Sequence, residues 1–223
     1  MTFLRTFVAA LALAGLATAA RAAPVTQPPI DYGGYRLAFV TSTTRDATST
    51  DIGVYNAFVT AAANSVTELA ALGTTWKVIA STATVSAREN TNTIPGTDGT
   101  GIPIYLLDGS TKIADNYADL WNFIDAPLNI DENGNLREVI VHTGSDLFGN
   151  PHPAQPLGAS VVISGVSDQS DQRWMQYWQQ SSTTSLSFYA MSDVLYVAEP
   201  ATLFLFGVGL AGLAGLRRRR QVR

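Results

Sequence analysis

His142, His152 and the acidic Asp146 between them are the residues whose types best suit acid–base or metal chemistry. Imidazole changes charge near neutral pH and is a common metal ligand. The spacing argues against both roles. The histidines stand ten residues apart, without the i,i+4 step that sets two ligands on one helix face. His142 ends an apolar run, and His152 lies between Pro151 and Pro153. A calcium loop starting at Asp131 needs Gly at its sixth place and an acid at its twelfth, but Leu136 and His142 stand there. Asp131-Glu132-Asn133-Gly134-Asn135 instead reads as a polar turn centred on Asn133-Gly134. There is no Gly-x-Ser-x-Gly elbow, no phosphate-binding glycine loop and no cysteine. The expectation is a non-enzyme with no catalytic residue, no metal and no cofactor. The alternative is a secreted hydrolase using His142 and acidic neighbours. Of the four tryptophans, Trp174 and Trp178 sit among Gln176, Gln179 and Gln180 and form the candidate ligand surface.

Both ends of the chain carry membrane signals. Arg5 precedes an apolar run from Phe7 to Leu16, and Ala20-Arg21-Ala22 offers small residues at the two positions a signal peptidase reads. Residues 1–22 therefore read as a signal peptide, with Ala23 as the first mature residue. At the other end, Ala198-Glu199-Pro200 leads into sixteen uncharged residues, 201–216. Arg217, Arg218, Arg219 and Arg220 stop that run, and such a cluster stays on the cytoplasmic side of a bilayer. As a helix the run would be ~24 Å long against a hydrocarbon core of ~30 Å. Gly207, Gly209, Gly212 and Gly215 make it only weakly apolar.

The tail, residues 198–223, resembles the PEP-CTERM sorting signal of Gram-negative bacteria. The family's first Pro is replaced by Ala198, while Glu199, Pro200, the Gly/Leu/Ala-rich run and the arginines follow in order. The resemblance implies an inner-membrane-anchored precursor, with a signal peptidase and an exosortase as partners during export. It also implies a destination in the cell envelope, on the surface or outside the cell, in association with exopolysaccharide or a surface-protein ligand.

Between the two signals, residues 23–199 keep seven of the fourteen basic residues and all eighteen acids, a net charge of −11. Such a surface repels nucleic acid, so no nucleic-acid partner is expected. With no cysteine, the exported part has to be held by its core alone.

The elements that must position these residues form an α+β pattern. Residues 23–34, with Pro24, Pro28, Pro29, Gly33 and Gly34, read as a linker. Residues 35–197 read as a single domain. Arg36 to Thr41 alternates like a strand. Ser49-Thr50-Asp51 offers caps for one main helix from Ile52 to Leu72, closed by Gly73, with an apolar stripe of Ile52, Tyr55, Phe58/Val59, Ala62, Val66, Leu69 and Leu72. That stripe is expected to share one core with Ile104, Val139 and Val141. Trp76–Ala80, Pro103–Leu107, Glu138–His142, Ser160–Ser164, Leu186–Ala190 and Val194–Val197 read as strands. Residues 81–101 read mostly as loop, and Asp115 as the cap of a short helix through Trp121 and Phe123. No internal repeat stands out.

The order of short motifs is similar to the endostatin-like branch of the C-type lectin fold. They are Tyr55-Asn56-Ala57-Phe58, then Gly73 to Ser81, Ile102 to Leu107, Asp119-Leu120-Trp121, His142 to Asp146, and the Trp174/Trp178 stretch. The resemblance implies one main helix packed on antiparallel strands. Calcium-dependent sugar binding does not carry over, because Trp121-Asn122 is followed by Phe123 rather than Asp.

Replacing Glu199 and Pro200 with Ala should hold the precursor in its full-length inner-membrane form in a host with an exosortase, while the wild type is processed. Equal fractionation of the two proteins would make the tail a plain anchor.

Overall fold

The protein is described by a computed structural model, which covers residues 24–26, 28, 33–96 and 101–196. The expected signal peptide, the sorting tail and its apolar run 201–216 lie outside these residues. Among the described residues no helix is long and apolar enough to cross a membrane.

The fold is α+β, with two sheets and few helices. Strand β1 (Gly34–Val40) is central, and all but its first residue are buried. Alternation sends Tyr35, Leu37 and Phe39 to one face and Ala38 and Val40 to the other. Both faces therefore need cover. Helix α1 (Ile52–Asn64) lies over the first, in a core with Trp76, Val78, Phe188 and Ala190. The second core holds Ile79, Ile104, Val141, Trp121, Trp174 and Tyr189.

The helix starts where expected. Asp51 caps it by accepting the Gly53 N–H at 2.8 Å. It ends early, at Asn64. The Ser65 hydroxyl donates to the Ala62 carbonyl at 2.7 Å, and Val66 is extended (φ −110°, ψ 123°). Serine back-bonding of this kind competes with the helical ladder. Helix α2 (Thr67–Ala70) restarts the turn, and Gly73, at φ 59°, ends it. The expectation of one shared core is also corrected. Tyr55, Val59 and Ala62 belong to the first core, with Phe58 and Val66 only partly buried against it, whereas Ile104 and Val141 lie across the sheet in the second.

The larger sheet runs β2 (Trp76–Val78), β8 (Tyr189–Ser192), β1, β3 (Ile104–Leu106) and β4 (Lys112–Ala114). Short β9 (Leu195–Tyr196) also pairs with β1. The β1–β3 pair is parallel, so the sheet is mixed rather than antiparallel throughout. The smaller sheet is antiparallel: β5 (Ile140–His142), β6 (Val161–Val166) and β7 (Trp178–Ser181). Residues 81–101 hold an unforeseen helix, α3 (Ala87–Asn90), closed by a capping box between Ser86 and Glu89. Helix α4 (Tyr117–Leu120) is capped by Asn116 rather than Asp115, since Asn116 Oδ1 accepts from the Ala118 and Asp119 N–H groups. The described part of the proline-rich segment is packed on the domain rather than free. Pro24 and Pro28 are buried, and the Val25 N–H donates to the Leu107 carbonyl at 2.9 Å.

Gly165 of β6 lies against the backbone of a 3-10 turn, Gln172–Trp174. A Cβ there would stand 1.8 Å from the Trp174 carbonyl oxygen. Gly165→Ala should therefore destabilise the domain by about 1–3 kcal/mol or more, because backbone has to move. Urea unfolding would check this, and an unchanged midpoint would contradict the packing.

Candidate functional site

Strand β7 and the turn before it position the candidate surface. Asp171 starts a single 3-10 turn, Gln172–Trp174, by accepting the Arg173 N–H at 2.9 Å. The turn drives Trp174 inward, and the chain then becomes strand. Trp174 is fully buried, stacked on Trp121 at 6.2 Å between ring centroids and 5.8 Å from Tyr189. It cannot meet a ligand, which corrects half of the sequence expectation.

Trp178 is 56 % exposed. Its partner is Tyr177, 50 % exposed, with ring centroids 5.7 Å apart. β7 pairs only with β6 in the smaller sheet, Trp178 opposite Ser164 and Gln179 opposite Ile163. Gln179 and Ser181 are exposed and Gln180 half-buried. The result is two adjacent rings, one on the first residue of an edge strand and one directly before it, beside amide and hydroxyl groups and with no charged side chain on the strand. Sequence reasoning missed Tyr177. The signal was available in the Tyr177-Trp178 dipeptide directly before Gln179-Gln180.

The residues with acid–base potential do not converge. His142 is buried, with its ring 5.6 Å from that of Phe188. Its Nε2 donates to the Thr184 carbonyl at 2.9 Å, which leaves Nδ1 to accept from the Ser164 hydroxyl at 3.2 Å. Burial holds its pKa below the ordinary value, against smaller opposing effects of the Thr184 carbonyl and the Asp46 charge. Asp146 is occupied by its own loop. Its Oδ1 accepts the Phe148 and Asn150 N–H groups at 2.9 and 2.8 Å, and Asn150 Nδ2 donates to Oδ2 at 3.0 Å. The Asp131 loop is built the same way. Asp131 Oδ1 accepts the Asn133 and Asn135 N–H groups, both at 2.9 Å, with Gly134 at φ 79° matching Gly149 at φ 74°. The polar turn expected at Asn133-Gly134 is thus present. Asp-x-x-Gly-Asn occurs twice as the same loop, a short repeat the sequence reading missed. His152 lies in a loop, where its Nδ1 accepts the Ala154 N–H at 3.4 Å.

Among the described residues, Asp115, Asp119 and Asp125 bring carboxylate oxygens within 4.8 Å of one another and could hold a cation. Lys112 pairs with Asp115, and the Asp115 N–H donates to Asp119 at 2.8 Å, so part of that charge is already met. An open groove of about 450 Å³ runs between α1 and β2, lined by Asn56, Thr60, Asn64, Thr75, Trp76 and Lys77 among others. It contains no carboxylate or imidazole among these residues.

The remaining site residues, Ala20, Ala22 and Ala23 at the signal-peptidase site and Ala198, Glu199, Pro200 and Arg217 to Arg220 in the tail, lie outside the described residues. Residues 197–220 match the PEP-CTERM protein-sorting motif. The motif marks an exported protein that passes through a membrane-anchored precursor and is sorted by an exosortase. No curated protein matches the chain.

The depressed pKa of His142 fixes the sign of one pH effect. The unfolded chain takes up the proton near pH ~6.5, and the folded protein only below that. The contribution of His142 to stability is therefore complete above pH ~6.5 and falls as the pH drops toward its folded value. Asp46, held low by its hydrogen bonds with Thr48, and Asp108, where burial pushes upward but the combined hydrogen bonds of Thr111 and Ser110 hold the pKa low, act only at lower pH. Melting temperature should decline between pH 7 and pH 5 in the wild type and less steeply in His142→Gln. Equal slopes would contradict the burial of a neutral imidazole.

Proposed function

We propose that the exported domain is a non-catalytic binding module that associates with polysaccharide at the cell surface or outside the cell, with Tyr177 and Trp178 as its contact. The observation that carries this reading is the exposed ring pair at the start of edge strand β7. Aromatic faces present a flat apolar surface with a polar tip, and a sugar ring offers C–H faces to cover it. Gln179 and Gln180 can then donate to and accept from the sugar hydroxyls. The strand carries no charge, and the net −11 between the two signals opposes polyanions, so a neutral polysaccharide fits best.

The endostatin-like C-type lectin reading of the fold is proposed on the same footing. It is supported by one main helix packed on a largely antiparallel sheet, although the parallel β1–β3 pair departs from it. The rival reading, a hydrolase using His142 and acidic neighbours, has little to support it. Both ring nitrogens of His142 are engaged inside the core, and the Asp146 carboxylate is bound by its own loop.

Trp178→Ala and Tyr177→Ala should each weaken binding of the mature protein to its host's exopolysaccharide by about tenfold or more, equivalent to ~1.4 kcal/mol. Stability should change by no more than ~0.5 kcal/mol, because both rings are at the surface. Affinity electrophoresis and a thermal melt check both, and unchanged affinity in both variants would overturn the proposal.

A further inference from the structure

We infer that β9 has to leave β1 before the exosortase can act on this chain, and that the fold confines this opening to β9. The argument begins with a distance along the chain. β9 ends at Tyr196 and the matched sorting motif begins at Val197, so nothing separates the last strand from the signal. Only residues 197–200 lie between β9 and the uncharged run that starts at Ala201. Four residues span at most ~14 Å. In a membrane-anchored precursor, that short reach is all the chain offers between the folded sheet and the apolar run. A protein that binds an extended peptide takes up its backbone over several residues, much as an added strand does. Only Val197 and Ala198 separate Glu199 from a strand already paired to β1.

β9 is built to come away. It has two residues and two register pairs, Gly34 with Tyr196 and Tyr35 with Leu195. Tyr196 is 76 % exposed, and Leu195 is only partly buried against the first core. The pairing is also discontinuous with that of β8. Ala38 faces Met191 and Tyr35 faces Leu195, so three steps along β1 are matched by four on the returning chain. The extra residue is a bulge, which interrupts the ladder between β8 and β9.

The bulge is also where the opening stops. Ser192 Oγ accepts the Leu37 N–H at 3.0 Å, and the Ser192 carbonyl accepts from Arg36 at 3.2 Å. The Asp193 N–H donates to the Thr75 carbonyl at 3.0 Å, and the Asp193 carboxylate accepts from the Thr75 hydroxyl. Beyond Asp193 no comparable anchor holds β9. Terminal segments with so few pairs open at little cost while the core stays closed. Release back to Val194 lengthens the free segment to residues 194–200, which can span ~23–25 Å.

The test follows conversion of the full-length precursor to its processed form by pulse–chase in a host with an exosortase. One variant inserts six Gly/Ser residues between Tyr196 and Val197, outside every described element. A second, Leu195→Ala, loosens β9. If cleavage draws on the open population, each should speed conversion about threefold or more, and the two together should do no more than the faster one alone. Thermal melts of the purified proteins should coincide with wild type. An insertion that leaves conversion unchanged or slows it overturns the inference. So does additivity of the two changes, or acceleration by Leu195→Ala accompanied by a lowered melting temperature.

Discussion

Burial of β1 on both faces is the constraint on which the rest of the structure depends. A strand with no solvent face requires a layer on each side, and here those layers are α1 and the Trp121/Trp174 core. With no cysteine in the chain, this burial replaces the cross-links an exported domain can use. Each large side chain fully removed from water contributes ~1.5–3 kcal/mol. The strand also carries a buried charge. Arg36 is only 2 % exposed and has no acidic partner among its described contacts. Its guanidinium donates to the carbonyls of Thr91, Asn92 and Ser192 and lies 5.2 Å from the centre of the Tyr117 ring. One side chain in β1 thus holds three separate segments, and none of those bonds survives if the strand moves.

The same strand runs between the end of the domain next to the sorting motif and the end that carries the exposed aromatic pair. Its first residues hold β9, which ends directly before the sorting motif. Tyr35 also donates to the Thr26 carbonyl at 2.7 Å, so the start of the packed segment lies at that end too. From Tyr35 to Val40 the strand carries the chain ~17 Å. Beyond it, Ala47 donates to the Ser182 carbonyl, just past the end of β7. The aromatic pair is reached from that far side, since the His142 N–H donates to the Ser187 carbonyl, His142 pairs with Ser164, and Ser164 pairs with Trp178. His142 thus acts as a strut between the sheets. Its buried ring bonds the Ser164 hydroxyl of β6 and the Thr184 carbonyl just beyond β7.

What could be read from the sequence is what local chemistry dictates. The Asp51 cap, the Asn133-Gly134 turn and the strand from Arg36 each follow from neighbours within a few residues. The sorting tail is legible because its charge and hydropathy pattern needs no partner in the fold. What escaped needs a distant one. Trp174 and Trp178 look alike among glutamines, and only Trp121 and Tyr189, far away in sequence, decide that one is core and the other surface. The helix break at Ser65 depends on a hydroxyl choosing a carbonyl three residues back, against an apolar stripe that continues to Leu69. Strands β4 and β7 are too short to show a period, and Asp115 and Asn116 offer equally good caps until geometry selects one. The Ser86/Glu89 capping box was legible, but it sits in a polar stretch without an apolar stripe to draw attention to it.

The central claim is that this domain reaches its place by way of two membrane signals, one at each end. Intact-mass analysis of the protein recovered from its native host tests that most directly. The account predicts a polypeptide that begins at Ala23 and ends close to Pro200, with residues 201–223 gone. Recovery of the exported protein at the mass of the full 223-residue chain would contradict it.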